Sequence, residues 1–422
     1  MSDSVVSAAT ALKEYYAEDV CQSLIFKDCP FYAMVKKDKA FGGKTYLRIP
    51  FIWGTNNAIG TTFATVQANA LNSSLSINEV QVTRVVTYAI GYLDTELLLA
   101  SEGKGSAFVE MAKPHVDGLI TNLSRDIEIA SFRDGYGYRA QISSTSGNVT
   151  GTTITLARAS DAFNFEVGFR LDLSAVFGAS AAKKAYGSSA NPLIVTGINT
   201  DLGTLTFGYS VNDATNGCPT IAQGDYIYLQ GDVATTRNKP CGCQGWIPDA
   251  APTGGENFYG LDRSVHQRLY GQRLDITSTP MSYTEALNKA IGKVHSYGGK
   301  VTHGFCSFNT YQDIINSLEA KVRYIDRETE GADVGFRGVE LITPKGTVEI
   351  YPSIAWDDSH IHLLQLDQWG IYSLKDEVHR ISEDGIEMLR AANADKLEIR
   401  YRSSMAIGCR APAYNAVIKI AA

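Results

Sequence analysis

Residues 107–132 read AFVEMAKPHVDGLITNLSRDIEIASF. Phe108, Ala112, Val116, Leu119, Leu123, Ile127 and Ala130 recur along this stretch at steps of three and four, which lines one face of an α-helix. The spacing predicts one helix over 107–132, about 39 Å long at 1.5 Å per residue. Pro114 lacks a backbone donor, so a kink or the helix start is expected there. Asp134-Gly135-Tyr136-Gly137 should end it. That is long for a helix of a globular core.

Upstream, residues 1–42 read as an arm, with a short amphipathic stretch around Leu12–Leu24, then Pro30 and the basic cluster Lys36, Lys37 and Lys39. A strand follows over 44–53, where Thr45, Leu47, Ile49 and Phe51 alternate with Tyr46, Arg48, Pro50 and Ile52. Pro50 places it at an edge. A second extended stretch, 75–93, is rich in Val, Thr and Tyr, and the Asn-, Thr- and Ala-rich segment 54–74 between them reads as a flexible tip. Together they form one long hairpin over 43–93. An isolated ribbon is marginal in water, so it must lie on another domain or another subunit.

Downstream the texture changes. Residues 139–236 are rich in Ser, Thr, Gly and Val, with short strands expected at 152–156, 168–173, 193–198, 202–209 and 225–229. This reads as a small β-barrel or sandwich. Ser282 with Glu285 forms a capping box for one helix, and Asn309 with Gln312 opens another. Strands resume at 348–350, 361–366, 396–404 and 416–420. The fold class is α+β.

The 422 residues carry 38 basic and 45 acidic side chains, a net charge of −7, which argues against a protein that grips nucleic acid through a basic surface. No secretory leader and no membrane-spanning run is evident, so folding in a cytosol with no membrane partner is expected. Seven scattered cysteines fit reduced thiols.

Candidate chemistry is sparse. Gly103-Lys104-Gly105-Ser106 lacks the spacing of a phosphate loop. Cys241 and Cys243, with Cys218 and His266, have the wrong spacing for structural zinc. Asp357, Asp358, His360 and His362 form the most enzyme-like cluster, but a polar wet face of a strand explains them, and His360→Ala should then be nearly silent. No catalytic residue, cofactor or metal is expected.

The order of parts resembles a tailed-phage major capsid protein of the Hong Kong 97-type fold. The likeness rests on the helix ending LSRDIEIASFRDG (123–135), the β segment with FEVGF (165–169) and GDYIYL (224–229), and the ending RYRSSMAIGCRAP (400–412). The resemblance implies an N-terminal arm (1–42), an E-loop hairpin (43–93) lying on a neighbouring subunit and a peripheral-domain spine helix (94–138). It further implies an inserted β domain (139–236), a peripheral-domain segment and connection (237–281), an axial domain (282–383) and peripheral-domain strands (384–422). It also implies self-assembly into hexamers and pentamers of a virion shell, built in the host cytoplasm around double-stranded DNA that it encloses without sequence-specific binding. Phe51, Trp53, Phe63, Tyr88, Tyr92 and Tyr311 are the candidate intersubunit contacts. Partners would be a separate scaffolding protein, since the arm is too short to serve as one, a portal and decoration proteins.

Some relatives cross-link an E-loop lysine to a peripheral-domain asparagine. The tip 54–74 has no lysine, although Asn415 sits in the terminal segment, so non-covalent clamping is expected. Two rivals remain: an encapsulin-like compartment of the same fold, and a β-rich hydrolase or glycan-binding protein built on the histidine cluster.

Overall fold

The computed structural model describes residues 30–39, 41, 46–54, 58–72, 76–96, 105–145, 149–189, 191–255, 257–265, 267–318, 339–381, 388–391 and 394–421. Helices and strands are mixed throughout. A short helix, α1 (Pro30–Met34), comes first, followed by strand β1 (Lys36–Asp38). The expected arm therefore belongs in part to the body: Phe31 is buried against the rings of Phe305, Trp356 and Trp369. Its residues 1–29 lie outside the described set.

A two-stranded ribbon follows, β2 (Tyr46–Gly54) with β3 (Ser76–Thr83). Both strands are edges, which tolerates Pro50. The segment between them is not simply a loose tip, because it carries α2 (Phe63–Asn72). Ala64, Gln67, Ala68, Ala70 and Leu71 are good helix formers, and their summed propensity outweighs the loop-like Asn and Thr. The hairpin is also shorter than expected. At Arg84 the second stretch breaks, and β4 (Val85–Asp94) leaves the ribbon for another sheet.

The long helix is α3 (Gly105–Phe132). Val116, Ile120, Leu123 and Ile127 are buried on it. It packs on β4, where a side chain at Gly91 would come within 2.3 Å of Leu119 Cδ1.

Seven strands follow: β5 (Tyr138–Gln141), β6 (Val149–Thr150), β7 (Thr153–Thr155), β8 (Arg170–Ser174), β9 (Leu193–Asn199), β10 (Thr204–Phe207) and β11 (Tyr226–Leu229). They pair antiparallel in the order β5-β11-β8-β9-β10-β7-β6. Just past β5, Ile142 bridges Leu156, just past β7. Ser143 N donates to Thr155 O and Ala157 N to Gln141 O. The sheet thus closes on itself as a barrel, filled by Ile154, Leu171, Leu173, Leu193, Leu205, Phe207 and Ile227.

The chain then returns through α4 (Cys243–Trp246), the small hairpin β12 (Asn257–Phe258) and β13 (Leu261–Asp262), and β14 (Gln272–Asp275). Trp246 is the hub here. It stacks on Phe51 at 6.4 Å, meets Phe258 edge-on at 5.0 Å, and donates from Nε1 to Ile407 O. Before it, Gly242 crosses α3 so closely that a Cβ would sit 2.2 Å from Ser131 O and 2.3 Å from Ala130 O. Gly242→Ala should therefore cost about 1–3 kcal/mol as one backbone is forced off the other. Urea unfolding would show the midpoint falling with the slope unchanged, and an unaltered midpoint would refute this.

The remaining elements are α5 (Tyr283–Ser296), β15 (His303–Cys306), α6 (Phe308–Leu318), β16 (Val339–Thr343), β17 (Gly346–Pro352), β18 (His360–Leu364), β19 (Trp369–Arg380), β20 (Leu389–Arg390), β21 (Lys396–Cys409) and β22 (Ala416–Lys419). Ser282 caps α5 by accepting Glu285 N, as its sequence predicts. α6 opens earlier than Asn309: Ser307 Oγ accepts Thr310 N.

These elements form two sheets. In one, β21 runs down the middle, with β4 on one side and β19 and β20 on the other, and β1 pairs parallel to β19. The other is six-stranded, β14-β22-β18-β15-β17-β16, with α5 and α6 packed on it. The expected boundaries at 282–383 and 384–422 do not match this pairing. β19 joins the first sheet, and β22 is an inner strand of the second. Asn415 holds the crossover: fully buried, its Oδ1 accepts Gln365 N and Trp369 Nε1, and its Nδ2 donates to Ala411 O.

Candidate functional site

The ribbon is anchored at its base and uncovered at its tip. Ile49, Phe51, Val80 and Val82 are buried in the main core, and Gln81 N donates to Tyr259 O. Farther out, none of the side chains of residues 58–70 is buried. Ile59 is 88% exposed and Phe63 81%, next to a helix with no charged residue. Large apolar side chains on a charge-free projection mark a contact surface.

A second apolar surface lies on β4. Its residues alternate: Ala89, Gly91 and Leu93 face α3, whereas Tyr88, Ile90 and Tyr92 point the other way and stand about half exposed. Across the pair, Tyr88, Ile90 and Tyr92 lie opposite Arg402, Arg400 and Glu398. A strand apolar on both faces is normally covered on both. That was legible in the sequence, where the alternation of small and large apolar residues passes unnoticed if the stretch is read only as a hairpin arm.

The candidate contacts fall into three groups. Phe63, Tyr88 and Tyr92 are exposed, on these two surfaces. Tyr311 is half-buried against the core of the six-stranded sheet. Phe51 is withdrawn, because it stacks on Trp246 inside its own chain; alternation alone does not say which strand face the body covers. The Trp53 side chain lies outside the described residues.

The histidine cluster is buried, not on a wet face. His360 Nδ1 is 2.7 Å from Asp357 Oδ1, and its Nε2 is 3.4 Å from Asp249 Oδ2. Asp357 Oδ2 takes Arg158 from the barrel at 2.6 Å and lies 4.0 Å from Arg133 at the end of α3, which itself pairs with Asp161 at 2.9 Å. Lys419 of β22 pairs with Asp249 at 2.9 Å. Asp358 accepts from Ser307 Oγ and Asn309 Nδ2 at the start of α6. His362 Nδ1 accepts from Trp356 Nε1, and its Nε2 has no partner among the described residues. This network joins the barrel, the end of the long helix and the six-stranded sheet. None of its histidines or of Asp357 and Asp358 lines either of the two cavities described.

Burial alone would strip the proton from His360, but Asp357 and Asp249 outweigh it and raise its pKa above the ordinary 6.5. Its charge therefore stabilises the fold fully below about pH 6.5 and stops doing so as pH rises through the raised value. His362 behaves oppositely: burial and the neighbouring His360 pull it down to about 3. The unfolded chain then takes up a proton that the fold refuses, so stability falls below about pH 6.5. Asp357 is held low by His360, Arg158 and Arg133 against the effect of burial, which adds to the acid loss. Unfolding free energy should peak near pH 6.5 by about these terms. In His360→Gln the alkaline decline should flatten; an unchanged alkaline limb in urea titrations across pH would refute the assignment.

The cysteines do not gather into the four-ligand set. Cys218 is in the barrel core, Cys241 and Cys243 are in the main core, and His266 lies outside the described residues. Burial raises the pKa of both Cys241 and Cys243.

No family model matches the chain, and no curated protein matches it. Among solved structures, it is similar to the cyanophage A-1(L) capsid asymmetric unit, with 12% identity and a TM-score of 0.46 over 93% of this chain and 92% of the other. It is similar to the capsid of an empty GTA particle, at 8% identity and a TM-score of 0.44 over 93% and 96%. A structure from Mycobacterium phage Bobi is likewise similar, at 8% and 0.41 over 94% and 91%. Superpositions this loose add no weight, and the reading below rests on the chain's own surfaces.

Proposed function

We propose that this chain is a shell-forming major capsid protein of the Hong Kong 97 type. The observation that carries the reading is the ribbon β2–β3, buried at its root and bare at a tip that presents Ile59, and Phe63 at the start of an uncharged helix. A surface of that kind is covered in the working state, and a second copy of the chain is the occupant that the repeated contacts of a closed shell supply.

In this reading, the ribbon with α2 is the E-loop, and α3 is the spine of a peripheral domain whose sheet is β1, β4, β19, β20 and β21. The six-stranded sheet with α5 and α6 is the axial domain, and the barrel is an insertion between spine and axial domain. The shell is made of hexamers and pentamers, assembles in the host cytoplasm with a separate scaffolding protein, meets a portal and decoration proteins, and ends in the virion. A net charge of −7 suits a wall that encloses DNA without gripping it. The hydrolase reading loses its support, because Asp357 and His360 are paired with each other inside the fold, His362 is buried against Trp356, and Asp358 holds the start of α6.

Sedimentation velocity with negative-stain imaging tests the proposal, using the purified chain with and without the products of neighbouring genes. Rings of five and six subunits, or closed shells, are the expected result. A persistent monomer with scaffold candidates present would overturn it, and shells that hold a protein cargo and never DNA would reassign it to the compartment reading.

A further inference from the structure

β14 is an outer strand of the six-stranded sheet, and beside it Gln272, Arg273, Lys293, Ser296 and Tyr297 enclose an open cavity of about 350 Å³. Two cationic residues line it, with no carboxylate paired to either among the described residues. The Arg273 guanidinium lies 4.6 Å over the Tyr270 ring, which fixes its plane, and its buried Nη1 has no hydrogen-bond partner among the described residues. Lys293 Nζ donates to Arg273 O at 2.7 Å, which uses one of its three hydrogens. Among the described residues neither cation pairs with a carboxylate. Asp275, two residues along the same strand face, spends its Oδ1 on Thr277 N and Oγ1.

The partial negative charge at the end of α5 is also spoken for. Val294 O accepts from Tyr297 N and Gly299 N, while His295 O accepts from Gly298 N and Lys345 Nζ. A cleft lined by two cations that no carboxylate neutralises, one of them a guanidinium oriented by an aromatic ring, suits an oxyanion. Guanidinium and ammonium together match the several acceptor oxygens of a tetrahedral phosphoryl group better than a single carboxylate.

We propose that this cleft is a binding site for a phosphoryl group, with Arg273 and Lys293 as its ligands. The site goes beyond the shell reading and does not depend on it. Free phosphate and a phosphodiester share the chemistry, and the experiment separates them.

Calorimetric titration of the full chain at low ionic strength, with inorganic phosphate, acetate and a short single-stranded oligodeoxynucleotide, provides the test. Phosphate should bind saturably, more tightly than acetate, and progressively less well as salt is added. Lys293→Gln, an exposed change, and the double variant with Arg273→Gln should each weaken phosphate binding by about tenfold or more. Oligonucleotide that displaces phosphate identifies the phosphodiester as an occupant, and oligonucleotide that leaves it in place identifies free phosphate. Absence of saturable phosphate binding, acetate binding as tightly as phosphate, or unchanged affinity in Lys293→Gln at an unchanged melting temperature would each overturn the proposal.

Discussion

Asp357→Ala should lower the stability of the chain by about 3–5 kcal/mol, among the largest effects any single change here can have. The carboxylate has no exposed surface, yet it receives Arg158 at 2.6 Å, His360 at 2.7 Å and the backbone N of Ser359 at 3.1 Å. Removing it takes the nearest counter-charge from His360, whose side chain is 3% exposed, and leaves the buried Arg133 with Asp161 alone. The cost lies in those poorly compensated charges, more than in the bonds lost. His360→Ala shares part of the effect, so the silence expected from an exposed histidine is not expected of this one. Guanidinium unfolding would check both, and a loss below about 1 kcal/mol for Asp357→Ala would show that the network is dispensable.

The second large effect is on assembly. Ile59→Asp with Phe63→Asp should leave the folded chain within about 0.5 kcal/mol of the original, because neither side chain is buried in it. On the shell reading, the same pair loses about 1.5–3 kcal/mol of apolar burial per residue at each subunit contact and places charge where it cannot be solvated. The protein concentration needed for assembly should then rise by at least about a hundredfold. Sedimentation velocity across a dilution series reads this directly. Normal shells from the double variant would show that the tip does not clamp a neighbour.

Much of the architecture was legible in the sequence because periodicity is local. The three-and-four spacing of Val116, Leu119, Leu123 and Ile127 marks α3, and all five strands expected between residues 152 and 229 are present. The errors arose where the outcome depends on distant partners. Nothing near Arg84 announces that β4 will leave β3 for β21, because that choice is made by a strand some 300 residues later, with Thr95 and Asp395 joined at |i−j| = 300. The burial of Asp357 and His360 is equally invisible, since their counter-charges come from Arg158, Arg133 and Asp249, far away in the chain. Of the candidate contacts, Phe63, Tyr88 and Tyr92 stand exposed, whereas the burial of Phe51 could not be read without knowing that Trp246 would lie over it.

The position of β22 bears on how the chain is made. It pairs parallel with β14 on one side and antiparallel with β18 on the other, so β14 lacks its neighbour in the sheet, and β18 one of its two, until Ala416–Lys419 has left the ribosome. Domains ordinarily fold as synthesis proceeds, but this sheet must wait for its latest segment, held meanwhile as exposed edges at risk of wrong pairing. A product released early, short of residue 416, lacks the strand that joins β14 to the rest. The closing of this sheet therefore depends on the chain having been made past residue 419, a dependence written into the strand order.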